Sequence, residues 1–266
     1  RRLLMKKFVI TLSFMLVFST SLAVASTSAP VVDSQIKKAA ELINGHSYKK
    51  AEEVLSGILK NNPPEKEKAL FLMGRLYKEQ GAPAKAEGYF IKAADSWPLL
   101  RDYALNELLD IYMTAGKHEN AIRTARQIKN TLLLQSARQS EIKALLNLKR
   151  KAEAREALSQ YVEDYPSDWD HKFTLATLLK NENETARAIR LLKDIYLNAV
   201  PPSNSAFKEL KALKADKFTK EELLKRADEL FRKNNFQRAE AEFQEALTMC
   251  DASESDRVEL SIGMCQ

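Results

Sequence analysis

The side chains that could carry chemistry in this sequence are few and stand apart from one another. Three histidines, His46, His118 and His171, are followed three and four residues later by side chains that are not metal ligands. Carboxylates are plentiful, but they alternate with Lys and Arg, and no pair stands in an apolar setting suited to acid–base catalysis. Neither a Gly-rich phosphate loop nor a Gly-x-Ser-x-Gly motif is present. We therefore expect no catalytic residue, no metal and no cofactor in this chain.

The two cysteines, Cys250 and Cys265, are too few for a disulfide scaffold. They fall on what the pattern predicts to be adjacent helices. In an oxidising compartment they could form a disulfide. The alternative is two half-buried thiols, and the sequence leaves both possibilities open.

The elements that must position these side chains follow a repeat. Ala51, Ala86, Ala121, Ala154 and Ala188 are separated by 35, 35, 33 and 34 residues. This interval is close to the period of about 34 residues of the tetratricopeptide repeat, in which two antiparallel helices form one unit. Few glycines and little strand-like alternation also favour helices throughout.

The segment MGRLYKEQGAPAKAEGYFIKAADSWP, residues 73–98, resembles a tetratricopeptide repeat closely. Small side chains at Gly74 and Ala86 would let the two helices cross at short distance. Gly81 would allow the turn, because a positive φ costs glycine little. Pro98 would stop the second helix. The positions that match the repeat in this copy are Gly74, Tyr77, Gly81, Ala86, Phe90, Ala93 and Pro98.

Looser copies keep the same positions. Tyr77, Phe90 and Ala93 are expected to fill the space between one helix pair and the next. The interval breaks once, with 51 residues between Ala188 and Ala239. The pattern predicts an all-α fold, a tetratricopeptide-like α-solenoid of antiparallel helix hairpins wound into a right-handed superhelix. The corresponding residues of the looser copies are Tyr112, Gly116, Ala121, Ala154, Ala188 and Ala239.

The chain divides by pattern into four parts. Residues 1–25 contain upstream residues and a segment typical of a secretory signal peptide, with cleavage after Ala25, although an uncleaved membrane anchor is the alternative. Residues 26–200 hold five helix pairs, and residues 201–219 hold an insertion with one short helix. Residues 220–266 hold a sixth pair and a truncated seventh, which predicts that the chain is a fragment. We expect export to the periplasm of a Gram-negative bacterium, with no stable membrane anchor after cleavage.

The charge balance argues against a nucleic-acid partner. Four of the 42 basic residues lie in the signal segment, so residues 26–266 carry 38 basic and 36 acidic side chains. Both signs alternate along the chain, which is typical of the solvated faces of helices. A nucleic-acid-binding protein would be expected to show a one-signed patch instead.

The junction after the fifth pair resembles the middle of the helical superhelix in soluble lytic murein transglycosylases. This resemblance implies an exported enzyme that cleaves peptidoglycan, with one catalytic Glu in a separate lysozyme-like domain beyond Gln266. That Glu is followed by Ser in the family, and Glu254–Ser255 matches the pair, but no Gly-Leu-Met-Gln follows. We expect this pair to lie in a polar loop between repeats and to have no catalytic role. The residues that carry the resemblance are Tyr196, Pro201, Phe218, Thr219, Arg226 and Ala227.

The competing hypothesis is a non-enzymatic periplasmic adaptor that binds a protein partner during envelope assembly or division. On this hypothesis, outward positions of the first helix of each pair line a concave binding face. A solvated face is the alternative for each such residue. The candidate binding residues are Arg75, Lys78, Asn106, Asp110, Lys143 and Lys180.

Overall fold

The computed structural model describes residues 29–61, 66–96, 98–199 and 203–266, and over these ranges the chain forms fourteen α-helices and no β-strand. The all-α prediction is thus confirmed. The predicted signal peptide, Trp97 and Pro201 lie outside the described residues. In chain order the helices are α1 (Ala29–Asn44), α2 (Tyr48–Lys60), α3 (Lys66–Glu79), α4 (Pro83–Ser96), α5 (Pro98–Thr114), α6 (His118–Ala125), α7 (Thr131–Asn147), α8 (Lys151–Asp164), α9 (Trp169–Asn181), α10 (Thr185–Asn198), α11 (Ser203–Ala212), α12 (Lys220–Arg232), α13 (Phe236–Leu247) and α14 (Ala252–Cys265).

The chain divides into two compact units, Arg1–Ile111 and Tyr112–Gln266. Unit 1 contains α1 to α4 and most of α5, and its fully buried side chains include Leu55, Leu76 and Phe90. Unit 2 contains the end of α5 and α6 to α14. Its buried clusters centre on Ile195 in α10 and on Leu230 in α12. No helix in the described ranges combines the length and apolar character needed to cross a membrane.

A left-handed residue ends the first helix of every hairpin. These residues have φ between 55° and 71°, and they lie 35, 35, 33, 34 and 51 residues apart, which are the intervals between the repeat alanines. Glycine supplies this conformation at two turns, whereas side chains with a Cβ adopt it at the other four. The turns of the repeat therefore share one backbone conformation, whether or not the residue is glycine. The six residues are His46, Gly81, Gly116, Lys149, Asn183 and Asn234.

Replacing Lys149 with Gly is expected to stabilise the protein by about 0.5–1 kcal/mol, because glycine has no Cβ clash at positive φ. The backbone bond from Lys149 N to Leu146 O, 3.0 Å, does not depend on the side chain. The opposite change at an equivalent turn, Gly81→Ala, should cost about 1 kcal/mol. Urea unfolding measures both. Lys143→Gly, one turn before the end of α7, is the control and should destabilise by about 1 kcal/mol. A Lys149→Gly variant as unstable as this control would contradict the turn geometry.

The repeat alanines occupy the tightest positions of the fold. All six, from Ala51 to Ala239, have no exposed surface. In the best-matched copy, a Cβ built on Gly74 would lie only 2.7 Å from the ring of Phe90, so α3 and α4 cross too closely for any larger side chain. Ala93 is fully buried as well. The small residues therefore set the distance between the helices of a hairpin.

Two other repeat residues act differently from the sequence prediction. Pro98 follows the end of α4 at Ser96, but it is also the first residue of α5, where a missing N–H costs nothing. Tyr77 was expected to pack toward the next helix pair. Its hydroxyl instead donates to Glu52 Oε1 of the preceding pair, at 2.6 Å, and its ring stacks on Tyr89. In the third copy, Tyr112 is buried.

The segment in which the interval breaks contains one short helix, α11, and then a loop. Thr219 caps α12 with a capping box, as the sequence predicts: its side chain accepts from Glu222 N, and Glu222 accepts from Thr219 N. Like the first helices, α11 is followed by a left-handed residue, Lys214 at φ 56°. We therefore describe α11 as an additional first helix whose second helix is replaced by a loop.

The prediction that Glu254–Ser255 lies in a polar loop is wrong. Asp251 caps α14, and its side chain accepts from the backbone of Ser253 and Glu254, so the helix starts at Ala252. Glu254 belongs to the first turn of α14 and accepts from Lys220 Nζ at 2.6 Å. Sequence reasoning missed the Asp–x–x–Glu capping box, which starts this helix at Ala252.

Candidate functional site

Lys78 joins the first helices of two neighbouring hairpins in unit 1. Its Nζ lies 2.6 Å from Glu107 Oε2 and 2.5 Å from Asp110 Oδ2, so it connects α3 to α5. Burial alone would lower the pKa of Lys78, but the two carboxylates outweigh it and raise the pKa above its ordinary value. Of the predicted binding residues, the structure thus brings Lys78 and Asp110 together. Arg75 and Asn106 are half-buried on the same two helices.

In unit 2 the two predicted binding residues make different contacts. Lys180 Nζ in α9 lies 2.6 Å from Glu209 Oε2 in α11, whereas Lys143 in α7 is exposed. Lys180 precedes Glu209 by 29 residues, as Lys78 precedes Glu107. A first-helix lysine therefore reaches a glutamate of the next first helix in both units. This shared contact supports the description of α11 as a first helix.

Unit 2 also holds a half-buried polar cluster that sequence reasoning missed. Tyr161 has no exposed surface, and its hydroxyl donates to Asp168 Oδ2 at 2.6 Å. Gln139 Nε2 donates to the same hydroxyl at 2.7 Å, and Gln135 Nε2 lies 3.2 Å from it. Asp168 caps α9 and lies 2.9 Å from His171 Nδ1. The cluster connects α7, α8 and α9, so its contacts are structural.

The electrostatics of this cluster favour a charged aspartate and a neutral tyrosine. Burial would raise the pKa of Asp168, but hydrogen bonds from Tyr161 and His171 outweigh it and lower the pKa. Burial and the bond to Asp168 raise the pKa of Tyr161 to about 12. The neutral tyrosine is therefore retained in the folded state well above the ordinary tyrosine pKa of about 10.

Asp168→Asn is expected to cost about 1–2 kcal/mol near neutral pH, because the carboxylate accepts several hydrogen bonds at once. A folded-state pKa below the unfolded value gives stability that is present above the unfolded pKa of about 3.9. That stability is lost as pH falls through the lower folded value. The difference between wild type and variant should therefore shrink below about pH 4 in urea unfolding. Asp170→Asn, exposed in the same helix, is the control, and equal effects at both positions would contradict the account.

The largest buried polar group in unit 2 is Arg226, with an exposed fraction of 1%. Its Nε donates to Glu242 Oε1 at 2.8 Å, and its guanidinium lies 3.7 Å from the centre of the Tyr196 ring. Tyr196 donates to the same carboxylate oxygen at 2.6 Å and stacks on Phe207 and Phe218. Burial and Glu242 raise the pKa of the Tyr196 hydroxyl. The cluster joins α10, α11, α12 and α13 where the interval breaks.

The cysteines and histidines are distributed among separate elements. Cys250 and Cys265 are free thiols, both partly buried against the cluster around Leu230. Burial and the nearby Glu240 raise the pKa of Cys265, which disfavours its thiolate. His46 lies in the turn after α1, and His118 is the first residue of α6. Across the described ranges, no three His, Cys, Asp or Glu side chains are grouped as a metal site would require.

A cleft of about 310 Å³ opens between α7 and α8. Its charged lining is largely paired within unit 2: Arg126 Nε lies 2.6 Å from Glu141 Oε1, and a terminal nitrogen of Arg126 lies 3.5 Å from Glu153. Arg138 pairs with Asp164. Both arginines that line the cleft are therefore already paired with carboxylates.

Comparison with known proteins agrees with the hairpin architecture. Two models of the tetratricopeptide repeat match the chain, over residues 71–130 and 143–168. The chain is similar to YrrB, a TPR protein described as having an unusual peptide-binding site, with 15% identity and a TM-score of 0.51 over 71% of this chain and 100% of YrrB. A search of curated protein sequences returns no significant match.

Two further solved structures are similar to the chain with lower scores. MamA AMB-1 is 14% identical, with a TM-score of 0.49 over 69% of this chain and 93% of MamA. PilF of Pseudomonas aeruginosa is 14% identical, with a TM-score of 0.46 over 88% of this chain and 99% of PilF. Of these likenesses, only the one to YrrB supports a conclusion, and at 15% identity it shows the fold alone. The class that fold and repeat define is therefore a tetratricopeptide-like α-solenoid of helix hairpins.

Proposed function

We propose that this chain is a non-enzymatic adaptor that binds an extended segment of a protein partner along the first helices of unit 1. The observation that carries the proposal is the surface formed by Arg75, Lys78, Asn106 and Asp110 on α3 and α5, which we call the unit 1 surface. Its lysine holds the two helices at a fixed spacing through Glu107 and Asp110. These two helices carry an amide, a guanidinium and a carboxylate. Such groups can bond the backbone and side chains of an extended peptide.

The comparisons support the adaptor more than an enzyme scaffold. The tetratricopeptide matches cover most of α3 to α6, which includes the unit 1 surface. YrrB is described as having an unusual peptide-binding site, and it resembles this chain in fold alone. YrrB thus has a similar fold and a described peptide-binding site. We propose that this chain also binds a peptide.

A display library of random peptides, selected on the purified chain, tests this function. The peptides recovered should bind with a dissociation constant that Arg75→Ala together with Asn106→Ala raises by about tenfold or more, because each change removes directed hydrogen bonds. Glu53→Ala together with Lys60→Ala, at exposed positions of the second helix α2, is the matched control and should leave binding unchanged. Equal loss in both variants, or peptides insensitive to both, would overturn the proposal.

The alternative is that this chain is the helical scaffold of a peptidoglycan lytic transglycosylase. It rests on the sequence resemblance at the junction, and three of the residues concerned, Tyr196, Phe218 and Arg226, lie in the buried cluster described above. Burial explains these residues by packing alone, so they do not favour the enzyme. This hypothesis requires a lysozyme-like domain outside residues 1–266. Release of anhydro-muropeptides by the product of the whole gene would favour it over the adaptor.

We place the adaptor in the periplasm because residues 1–25 have the pattern of a secretory signal. Export predicts a mature protein that begins at Ser26 in the periplasmic fraction of a Gram-negative host. Mass spectrometry of the purified protein measures its first residue. Recovery of the uncleaved chain from the cytoplasm would contradict export and leave the binding proposal untouched.

A further inference from the structure

A run of exposed lysines lies in the segment where the repeat interval breaks. Four of them recur at every third residue along α11 and the loop behind it. In the part of the chain that the structure describes, these four take part in no ion pair, whereas Lys220, the next at this spacing, is bound to Glu254 at 2.6 Å. We call the four residues the basic patch: Lys208, Lys211, Lys214 and Lys217.

The backbone beneath the basic patch is fixed. Ala206 and Leu210 are fully buried, so Lys208 and Lys211 share the opposite, exposed face of α11. The helix ends at Ala212 and is followed by the left-handed Lys214, and Ala215 N donates back to Leu210 O at 2.9 Å.

Contacts from α10 anchor the loop that follows α11. Lys193 Nζ in α10 donates to the Lys217 carbonyl at 2.8 Å and lies 5.0 Å from the centre of the buried Phe218 ring. The lysines therefore extend from an ordered backbone, and a ligand would have only side chains to order on binding.

Nearby acidic groups do not neutralise the basic patch. Glu209 in α11 is bound to Lys180, and Glu222 accepts from the backbone N of Thr219 in the capping box. Asp216, half-buried between Lys214 and Lys217 in sequence, is the remaining carboxylate of the segment 203–219. The segment therefore presents more positive than negative charge to solvent, and a positive field attracts carboxylates at long range.

From this geometry we infer that the basic patch is a second docking surface, which binds an acidic segment of a protein. The large hydrophobic side chains that are exposed in the described ranges all lie outside residues 203–219, so the patch lacks the apolar anchors of a membrane-binding surface. Its aromatic residues, Phe207 and Phe218, pack against Tyr196 and do not offer a stacking platform for nucleic-acid bases. Lysine ammonium groups are complementary in charge to the carboxylates of an acidic peptide.

The inference is independent of the proposed function, because the basic patch lies in unit 2 and the unit 1 surface in unit 1. The probe is a short fluorescein-labelled peptide of alternating Glu and Ser, and binding is followed by fluorescence anisotropy of the full chain. Reversal of all four charges to Glu should weaken binding by about tenfold or more, and replacement by Gln by a smaller factor. Raising the salt from about 0.05 M to about 0.5 M should weaken wild-type binding as well.

The matched control reverses four other exposed lysines, in α1 and α2 of unit 1: Lys37, Lys38, Lys49 and Lys50. It should keep near wild-type affinity for the Glu/Ser peptide. Circular dichroism of the Gln variant verifies that the fold is kept. Equal weakening in patch and control variants, or no weakening in the patch variants, would overturn the inference. So would patch-dependent binding to phosphatidylglycerol-containing vesicles or single-stranded DNA that is tighter than binding to the peptide.

Discussion

Replacing Arg226 with Ala is expected to lower the free energy of unfolding by about 3–5 kcal/mol. The change leaves Glu242, with an exposed fraction of 7%, as a buried carboxylate without its cationic partner. It also removes the guanidinium from the face of Tyr196, 3.7 Å away. Urea or guanidinium unfolding, followed by circular dichroism, measures the loss. Arg190→Ala, at an exposed position of α10, is the control and should change stability by less than about 0.5 kcal/mol.

The double variant Arg226→Met with Glu242→Leu distinguishes packing from charge. Buried ion pairs can be replaced by apolar residues of similar volume with little loss, since neither charge then needs a partner. The double variant should therefore regain most of the stability that Arg226→Ala loses, although Tyr196 keeps an unpaired hydroxyl. A cost below about 1 kcal/mol for Arg226→Ala would show that the arginine is not buried against Glu242 as described.

Gly74→Ala is expected to destabilise the protein by about 1–3 kcal/mol, because the added Cβ would lie 2.7 Å from the Phe90 ring. Either the ring must leave its position or the two helices must separate. Phe90 is fully buried and contacts Phe71 edge-to-face, so it has little room to move. Thermal or urea unfolding measures the effect.

Gly88 supplies the control for this prediction. It lies in the same hairpin, in α4, and a Cβ there would meet nothing within 4 Å. Gly88→Ala should therefore stabilise the helix by about 0.5–1 kcal/mol, as expected for an open helical site. In the double variant Gly74→Ala with Phe90→Leu, the smaller side chain should make the Gly74 change cost less than it does alone. Equal effects of Ala at positions 74 and 88 would contradict the close crossing of α3 and α4.

Much of the fold follows from the sequence because the repeat acts through small residues. The alanine interval and the residues Gly74, Gly81 and Gly116 predict helix hairpins and their turns, since close crossings and left-handed turns restrict which residues fit. Lys149 breaks that pattern in sequence but not in conformation, with φ 58°. The surrounding hairpin fixes the conformation of this turn. The turns are therefore more alike in backbone conformation than their residue types indicate.

The side-chain networks could not be predicted in the same way. Tyr196 and Glu242 are 46 residues apart, and only the packing of α10 on the α12–α13 hairpin brings them together. The pairing of Lys78 with Asp110 likewise depends on the distance between neighbouring first helices. The bond between Tyr161 and Asp168 is an exception that the sequence could have indicated. Asp168 lies only seven residues after Tyr161 and caps α9. The sequence indicated the helices and their buried faces. The side-chain partners on neighbouring helices could be identified only from the structure.

A protein segment bound as we propose would lie along the first helices of unit 1. Hydrogen–deuterium exchange of the full chain, with and without a peptide selected from the display library, would detect binding there. We predict slower exchange in α3 and α5, around Arg75 and Asn106, and unchanged exchange in the second helices α2 and α4. Protection confined to α2 and α4, or to the helices of unit 2, would contradict it.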